Sequence, residues 1–454
     1  MKKNLIKSLL FCILALAAFV AFAYFRQTDS EKVQALFERG VAYADKDNYD
    51  KAIEDFNSAL KIKPDEYKVL LNRGFIYRLK RNYDKAIEDF SAIIKIKPDK
   101  HYPLYVRGRV YSAKGNYDKA IDDLEAALKI DPSNDEAKKF LEEVQSNKAI
   151  EDLSATLKIK PDDIVTLVLR GIAYHERGNY DKAIEDYNAA LKIKPDDKDA
   201  LYERGFAYYR KDNYDRAIED YNAIIKIIPN DYEALYMRGL AYARKNNYDK
   251  AIEDYNAAIS IKPDYIQALY NRSYAYATKG NYDKAIEDYT NVLKIGPNNS
   301  GILYSRGRAY AKKGNYERAI EDYTTALKIE PEDYEALYWR GRAYAKKGNY
   351  ERAIEDWTAA IKIKPDYLEA LYERGIAYAI KGNFERTIED FSVIIKIKPN
   401  DQGALYNRGL TYYKKGNYEK AIKDLEAALK INPNDTEANQ LLEKVRQRKA
   451  GVKE

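Results

Sequence analysis

Residues Tyr334–Tyr367 read YEALYWRGRAYAKKGNYERAIEDWTAAIKIKPDY, and their small, aromatic and proline positions return every 34 residues through most of the 454-residue chain. The prolines set the ruler. They fall at Pro64, Pro98 and Pro132, then at Pro161, Pro195, Pro229, Pro263, Pro297, Pro331, Pro365, Pro399 and Pro433, with one interval of 29 between Pro132 and Pro161. A period of this length is the mark of a solenoid whose units stack on their neighbours, not of a closed globular core. Eleven full units begin at residues 33, 67, 101, 164, 198, 232, 266, 300, 334, 368 and 402, with one truncated unit between 135 and 163.

The quoted unit predicts two helices. Ala336, Leu337, Gly341 and Tyr344 form a stripe at three- and four-residue spacing, and Ala353, Ile354, Trp357 and Ile361 form a second. Gly348-Asn349 separates them: glycine accepts the left-handed backbone that ends a helix, and asparagine caps the next one. Glu351 follows in the first turn, where the helix dipole favours negative charge. Pro365 stops the second helix, and Glu332-Asp333 offers carboxylates to the first helix's amides. The glycine column, Gly40 through Gly409 with Ser273 as its substitute, is expected to let two helix backbones approach. An alanine column answers it from the second helix, and Thr387, its exception, is expected to loosen that repeat.

The pattern W-x2-L-G-x2-Y…A-x3-F…P is met by Leu337, Gly341, Tyr344, Ala353, Trp357 and Pro365. On these residues the chain resembles the tetratricopeptide repeat family, over about nine-tenths of its length. The resemblance implies an all-α, right-handed α-solenoid of helix-turn-helix units, with first helices lining a concave groove. It also implies a role in binding protein segments. The family's carboxylate clamp for chaperone tails is only half matched, by Lys68 and Asn72, with Phe37 and Val41 where the rest belongs.

Two charged columns run through all eleven full repeats: Arg39 through Arg408, one residue before the glycine or Ser273, and Asp55 through Asp424. They are read as ion pairs between first and second helices that set register, the alternative being independent solvated charges. At the short interval, Asn134–Gln145 (NDEAKKFLEEVQ) resembles the C-terminal Asn434–Gln447 (NDTEANQLLEKVRQ), which is placed to cap the array. No glycine or proline occurs from Ser133 to Lys160, so one long helix is expected, its stripes Ala137/Leu141/Val144 and Ile150/Leu153/Leu157 packing on different neighbours. The expected organisation is therefore a leader over 1–25, a block of three repeats and a cap-like helix over 26–147, a truncated unit with eight full repeats over 148–435, and a capping helix and tail over 436–454.

The leader has Lys2, Lys3 and Lys7, an apolar run Leu9–Phe25, and Ala21-Phe22-Ala23 at the spacing of a cleavage site. This is the layout of a secretory signal cut after Ala23, or, left uncut, of a membrane anchor at the lower limit of length. Either reading exports the rest, to the periplasm or to the outer side of an inner membrane. Cys12 lies within the run and is the only cysteine, so no disulfide is expected. The formal charge is +6, half of it from the leader's lysines, with 78 basic against 72 acidic residues. So even a balance argues against nucleic acid.

No chemistry for catalysis assembles. His101 and His175 lie in different repeats, and no metal spacing, phosphate-cradling loop or Ser-His-Asp set exists. A non-enzymatic scaffold of the cell envelope without cofactors is the reading, partnered by other proteins or peptide segments; the alternative is a structural or self-associating spacer. Groove positions follow from the resemblance: Tyr202, Tyr236, Tyr270, Tyr304, Tyr338, Tyr372 and Tyr406 form a column that either meets ligand or packs between repeats. Arg308, Trp339 and Arg342, with Lys346 at the edge, make a cationic aromatic patch beside Tyr304, Tyr338 and Tyr372, unless the arginines pair with neighbouring glutamates.

Overall fold

The computed structural model describes residues 29–451, and every regular element among them is a helix. The leader, with its expected cleavage site or membrane span, lies outside the described residues. Among those described, no helix is long and apolar enough to cross a membrane. The chain divides into two compact units, one ending at Glu203 and the other beginning at Arg204.

The first unit holds α1 (29–44), α2 (Tyr49–Ile62), α3 (Tyr67–Leu79), α4 (Tyr83–Ile96) and α5 (His101–Ala113). It continues with α6 (Tyr117–Ile130), α7 (Asp135–Ile159), α8 (Ile164–Glu176) and α9 (Tyr180–Ile193). The change of unit falls inside α10 (Lys198–Arg210). The second unit holds α11 (Tyr214–Ile227), α12 (Tyr232–Arg244), α13 (Tyr248–Ile261), α14 (Ile266–Thr278) and α15 (Tyr282–Ile295). Then come α16 (Ser300–Lys312), α17 (Tyr316–Ile329), α18 (Tyr334–Lys346), α19 (Tyr350–Ile363) and α20 (Leu368–Ile380). It ends with α21 (Phe384–Ile397), α22 (Gln402–Lys414), α23 (Tyr418–Ile431) and α24 (Thr436–Gly451). Within the first unit successive helices from α2 to α9 pack on one another, as do those from α11 to α24 in the second, the all-α solenoid the period requires.

Turn chemistry explains the regularity. Gly348 has φ +79°. Its amide donates to the Ala345 carbonyl at 2.9 Å, and the Asn349 amide donates to that of Tyr344 at 2.9 Å. This double closure satisfies two end carbonyls of α18. Asn349 then accepts the Arg352 amide at 3.2 Å and starts α19. Asp333 caps α18 in the same way, accepting from the Glu335 and Ala336 amides. Asp47, Arg81, Asp212 and Asn246 hold the left-handed position without glycine.

The glycine column has a different cause from the one expected. A β-carbon on Gly171 would lie 2.4 Å from the Tyr187 ring, one on Gly239 2.7 Å from Tyr255, and one on Gly341 2.7 Å from Trp357 Nε1. An aromatic side chain of the second helix, not its backbone, occupies the space. Backbone is approached at Gly108 and Gly409, where Leu124 and Leu425 replace the ring and the facing carbonyls come within 3.2 and 3.4 Å. The reason is volume: a planar ring lies flat over a bare Cα, and only the smaller leucine lets the helices close further.

Thr387 is accommodated in the alanine column without stranding its polar atom. It is fully buried, and its hydroxyl donates to the Asn383 carbonyl at 2.9 Å, so the extra polar atom is satisfied. Several ring hydroxyls are not. Tyr187, Tyr255 and Tyr323 bury their phenol oxygens without a hydrogen-bond partner, at positions where Phe56, Phe90 and Phe391 serve elsewhere. Tyr323→Phe is therefore expected to stabilise α16 and α17 by about 1 kcal/mol, read as slower amide exchange there, because an unpaired buried hydroxyl costs more than it returns. Faster exchange would reveal a partner for that oxygen.

The two charged columns form ion pairs in all eleven full repeats, each bidentate, as between Arg340 and Asp356 at 2.8 and 2.6 Å. The third guanidinium nitrogen reaches back to the preceding second helix: Arg73 to Asn57 at 2.6 Å, Arg238 to Asn222 at 2.6 Å, Arg374 to Thr358 at 3.0 Å. One side chain thus fixes three helices, which is what a register device must do. A second, exposed ladder links successive repeats, including Lys80–Asp50, Lys313–Asp283, Lys347–Glu317 and Lys381–Glu351. Lys347 and Lys381 hold Glu317 and Glu351 below the usual carboxylate range by hydrogen bonding. Such exposed pairs, open to solvent screening, contribute little to stability.

The short interval folds as one helix, α7, in which residues 147 and 148 are both internal. Its first half buries Ala137 and Val144 in the core shared with α6, as α24 buries Ala438, Leu442 and Val445 against α23. Lys148 pairs with Asp118 as Lys114 pairs with Asp84, so the first half stands where a first helix would. The second half stands where a second helix would, since Arg170 reaches Ser154 at 3.2 Å as Arg73 reaches Asn57. The missing residues are the Gly-Asn turn. Without it the helix continues unbroken.

Candidate functional site

First helices carry their outward positions in columns, because every unit repeats the same φ/ψ path. The tyrosine column is largely structural. Tyr338 is only 7% exposed, lying 5.1 Å from Tyr367 and 5.4 Å from Trp339 between ring centroids. Tyr236 lies 6.0 Å from Tyr255 and 5.0 Å from Tyr265, and Tyr372 lies edge-on to Phe391 at 5.4 Å. Asn271 donates to the Tyr236 hydroxyl at 3.1 Å, Asn407 donates to that of Tyr372 at 2.8 Å, and Tyr304 contacts Glu335 at 3.1 Å. Burial pushes Tyr236 and Tyr304 up to about 12, so both remain neutral phenols. Tyr406 packs into the cluster of Leu425 and Leu442. Tyr270 is the most open of the set, and Tyr202 belongs to the first unit while the others belong to the second.

The patch on α16 and α18 does come together. Arg308 lies over the Trp339 ring at 4.7 Å and Arg342 at 4.9 Å, which keeps the two guanidiniums within about 10 Å of each other, the spacing of adjacent helices. They also stand 5.8 Å from Tyr304 and Tyr338, respectively. Arg308, Trp339, Arg342 and Lys346 line one cleft of about 200 Å³, completed by Ala311, Lys312, Tyr316 and Ala343. Arg342 pairs with Glu373 at 3.3 Å. Arg308, Lys312 and Lys346 form no salt bridge among the described residues.

Two further clefts adjoin. One, lined by Tyr274, Tyr282, Tyr289, Tyr304 and Ser305, shares Arg308 and Lys312 with the first. The other, lined by Tyr338, Leu368, Tyr372 and Ile394, carries Glu369, Glu373 and Asp401 against Lys398. In the first unit, burial with nearby Asp199 and Glu176 raises Glu203 above the usual carboxylate range. Lys312, Tyr316 and Tyr274 were missed by sequence reasoning. The signal existed, since Lys312 stands in the column of Lys346 and Tyr274 in that of Arg308, but a column position does not say which neighbours close a cleft.

Models of the tetratricopeptide repeat match residues 33–66, 67–100, 102–134, 199–231 and 404–435, and another matches 236–300, 304–367 and 344–402. A related repeat model matches 171–212. No curated protein sequence matches the chain. Among solved structures, part of a repeat protein from Cytophaga hutchinsonii is similar at 19% identity, covering 60% of this chain and 97% of that one, with a TM-score of 0.42. Yeast Tom70 is similar at 16% identity over 93% and 97%, TM-score 0.35, and MamA protein at 27% over 38% and 94%, TM-score 0.36. The matched segments tile most of residues 33–435, where helix pairs recur at the same period, and this chain belongs to the tetratricopeptide repeat family.

Proposed function

We propose that this chain is a non-catalytic scaffold that holds a segment of another protein on the first-helix face of its second unit. Repeats of this family mediate contacts between proteins. The observation that carries the reading is the cleft of Arg308, Trp339 and Arg342. Here as elsewhere the arginines before the glycines and the ladder lysines meet carboxylates, as Arg340 meets Asp356 and Lys313 meets Asp283, but Arg308, Lys312 and Lys346 in other columns have none, beside an aromatic ring. Arginine and tryptophan are the residue types that dominate interface energy, and a buried anchor of that kind contributes about 2 kcal/mol or more.

A photo-crosslinker at Lys346 is expected to capture a partner protein in living cells, and one at Lys362 on the second-helix face is not. Trp339→Ala should abolish the capture, a loss of about 30-fold or more in affinity, with an unchanged helical circular dichroism spectrum. Equal capture from Lys362, or capture that survives Trp339→Ala, overturns the reading. We place the scaffold outside the cytoplasm, cleaved after Ala23 or anchored through Leu9–Phe25, on the lysines and apolar run of the leader. A reporter active only in the cytoplasm, fused after Glu454, should then stay silent.

Self-association is the second reading. It draws on Ile159, Val165 and Leu169 in the first unit, which are 81%, 65% and 48% exposed beside the fused helix. Copy-to-copy crosslinks through Val165, without any capture at Lys346, favour it.

A further inference from the structure

We propose that the captured segment is extended and carries two acidic side chains about three residues apart, with a large apolar residue about three positions beyond each. The inference rests on the reading of the first-helix face as the binding face and adds the chemistry of what it takes. One column of that face, followed helix by helix through the second unit, reads Leu240, Tyr274, Arg308, Arg342, Ile376 and Leu410. Its centre is cationic and both ends are apolar. Leu240, Ile376 and Leu410 are half-buried, and Tyr274 is exposed.

The centre is where charge is left uncompensated. Arg308 meets no carboxylate, and Lys312 and Lys346 beside it meet none either, among the described residues. Arg342 has only Glu373, at 3.3 Å. Placing anions here recovers charge–charge attraction in a cleft partly shielded from water by Trp339 and Tyr316. The spacing then selects the ligand. The two guanidiniums lie within about 10 Å of each other, and an extended chain in the polyproline II conformation advances about 3.1 Å per residue with every third side chain on one face, so carboxylates three residues apart reach both.

The flanks decide between a protein and a polyanion. Beyond Arg342 the adjoining cleft presents Glu369, Glu373 and Asp401, which repel an uninterrupted run of negative charge. Ile376 offers nothing to a phosphodiester and contributes only if an apolar group covers it. A short acidic pair between apolar residues satisfies every position; a nucleic acid satisfies only the centre.

The test uses the full chain and a fluorescein-labelled peptide, LSGESGESGL, followed by anisotropy. Binding is expected to weaken at least about tenfold when both glutamates become glutamine, and likewise when both leucines become serine. Arg308→Gln should reproduce the first loss and Tyr274→Ser with Ile376→Ser the second, each with an unchanged helical circular dichroism spectrum. Equal binding of the glutamine peptide overturns the proposal. So does no binding of the acidic peptide up to about 1 mM, or full displacement by polyphosphate with no effect of the leucines. A partner crosslinked at Lys346 that lacks an acidic pair between apolar residues sinks this inference alone; absence of any crosslink from that face sinks the binding face with it.

Discussion

Asp288→Ala is expected to destabilise the α14–α15 pair by about 3–5 kcal/mol, the loss that follows when one partner of a buried ion pair is removed. Asp288 accepts from Arg272 at 2.8 and 2.7 Å, and the side chains are 4% and 17% exposed. After the substitution Arg272 keeps its 2.6 Å bond to Asn256 but loses its counter-charge in a space that water scarcely enters. A shape-matched pair, Arg272→Met with Asp288→Leu, should recover most of the loss, because replacing both partners by apolar groups is often close to neutral. The measurement is amide exchange resolved over Ile266–Ile295, since a repeat array unfolds locally and a single midpoint would blur the effect. If the alanine variant exchanges like the parent, the pairs are surface decoration. If the apolar pair recovers stability but exchange spreads into α13 and α16, the arginines act chiefly on register.

Gly171→Ala should cost about 1–3 kcal/mol, whereas Gly409→Ala should be close to neutral. In the first case the new carbon falls 2.4 Å from the Tyr187 ring, which is fully buried and has nowhere to move. In the second it meets Leu425 Cγ at 3.1 Å, where a few tenths of an ångström suffice. Alanine also gains about 1 kcal/mol of helix propensity over glycine at either site, which offsets the small clash and not the large one. Adding Tyr187→Leu to Gly171→Ala should lower the penalty of the glycine substitution, as the pair then resembles Gly108 and Leu124. Urea unfolding of these three variants and of Tyr187→Leu alone checks this. Equal losses at both glycines would show that backbone closeness, not the ring, imposes the column.

Some of the molecule was legible before any coordinates. The period, the two helices per unit, the Gly-Asn turn and the Arg–Asp pairs follow from interactions within 34 residues, and a unit that repeats them states its own contacts many times. The continuous α7 was legible for the same reason: no residue between Ser133 and Lys160 stops a helix. The cationic cleft was legible in part. Arg308, Trp339, Arg342 and Lys346 stand in neighbouring columns, and the helices do bring them together.

Other features needed the packed chain. The glycine column looked like a backbone contact because small residues usually mean close helices; that a ring fills the space depends on which side chain points back across the unit. The third bond of arginines such as Arg73 and Arg374, to a small polar residue 16 positions earlier, crosses from one repeat to the next, as does the lysine ladder over 30 positions. The tyrosines divide the same way. Tyr338 and Tyr270 hold equivalent places in the period, yet one is buried by Trp339 and Tyr367 and the other is open. Local order in this chain is written by spacing along one unit, because turns, caps and stripes involve neighbours in sequence. What a given column does, whether it packs, pairs or waits for a ligand, is decided by the residues of the adjoining repeat, which only the stacked helices bring into reach.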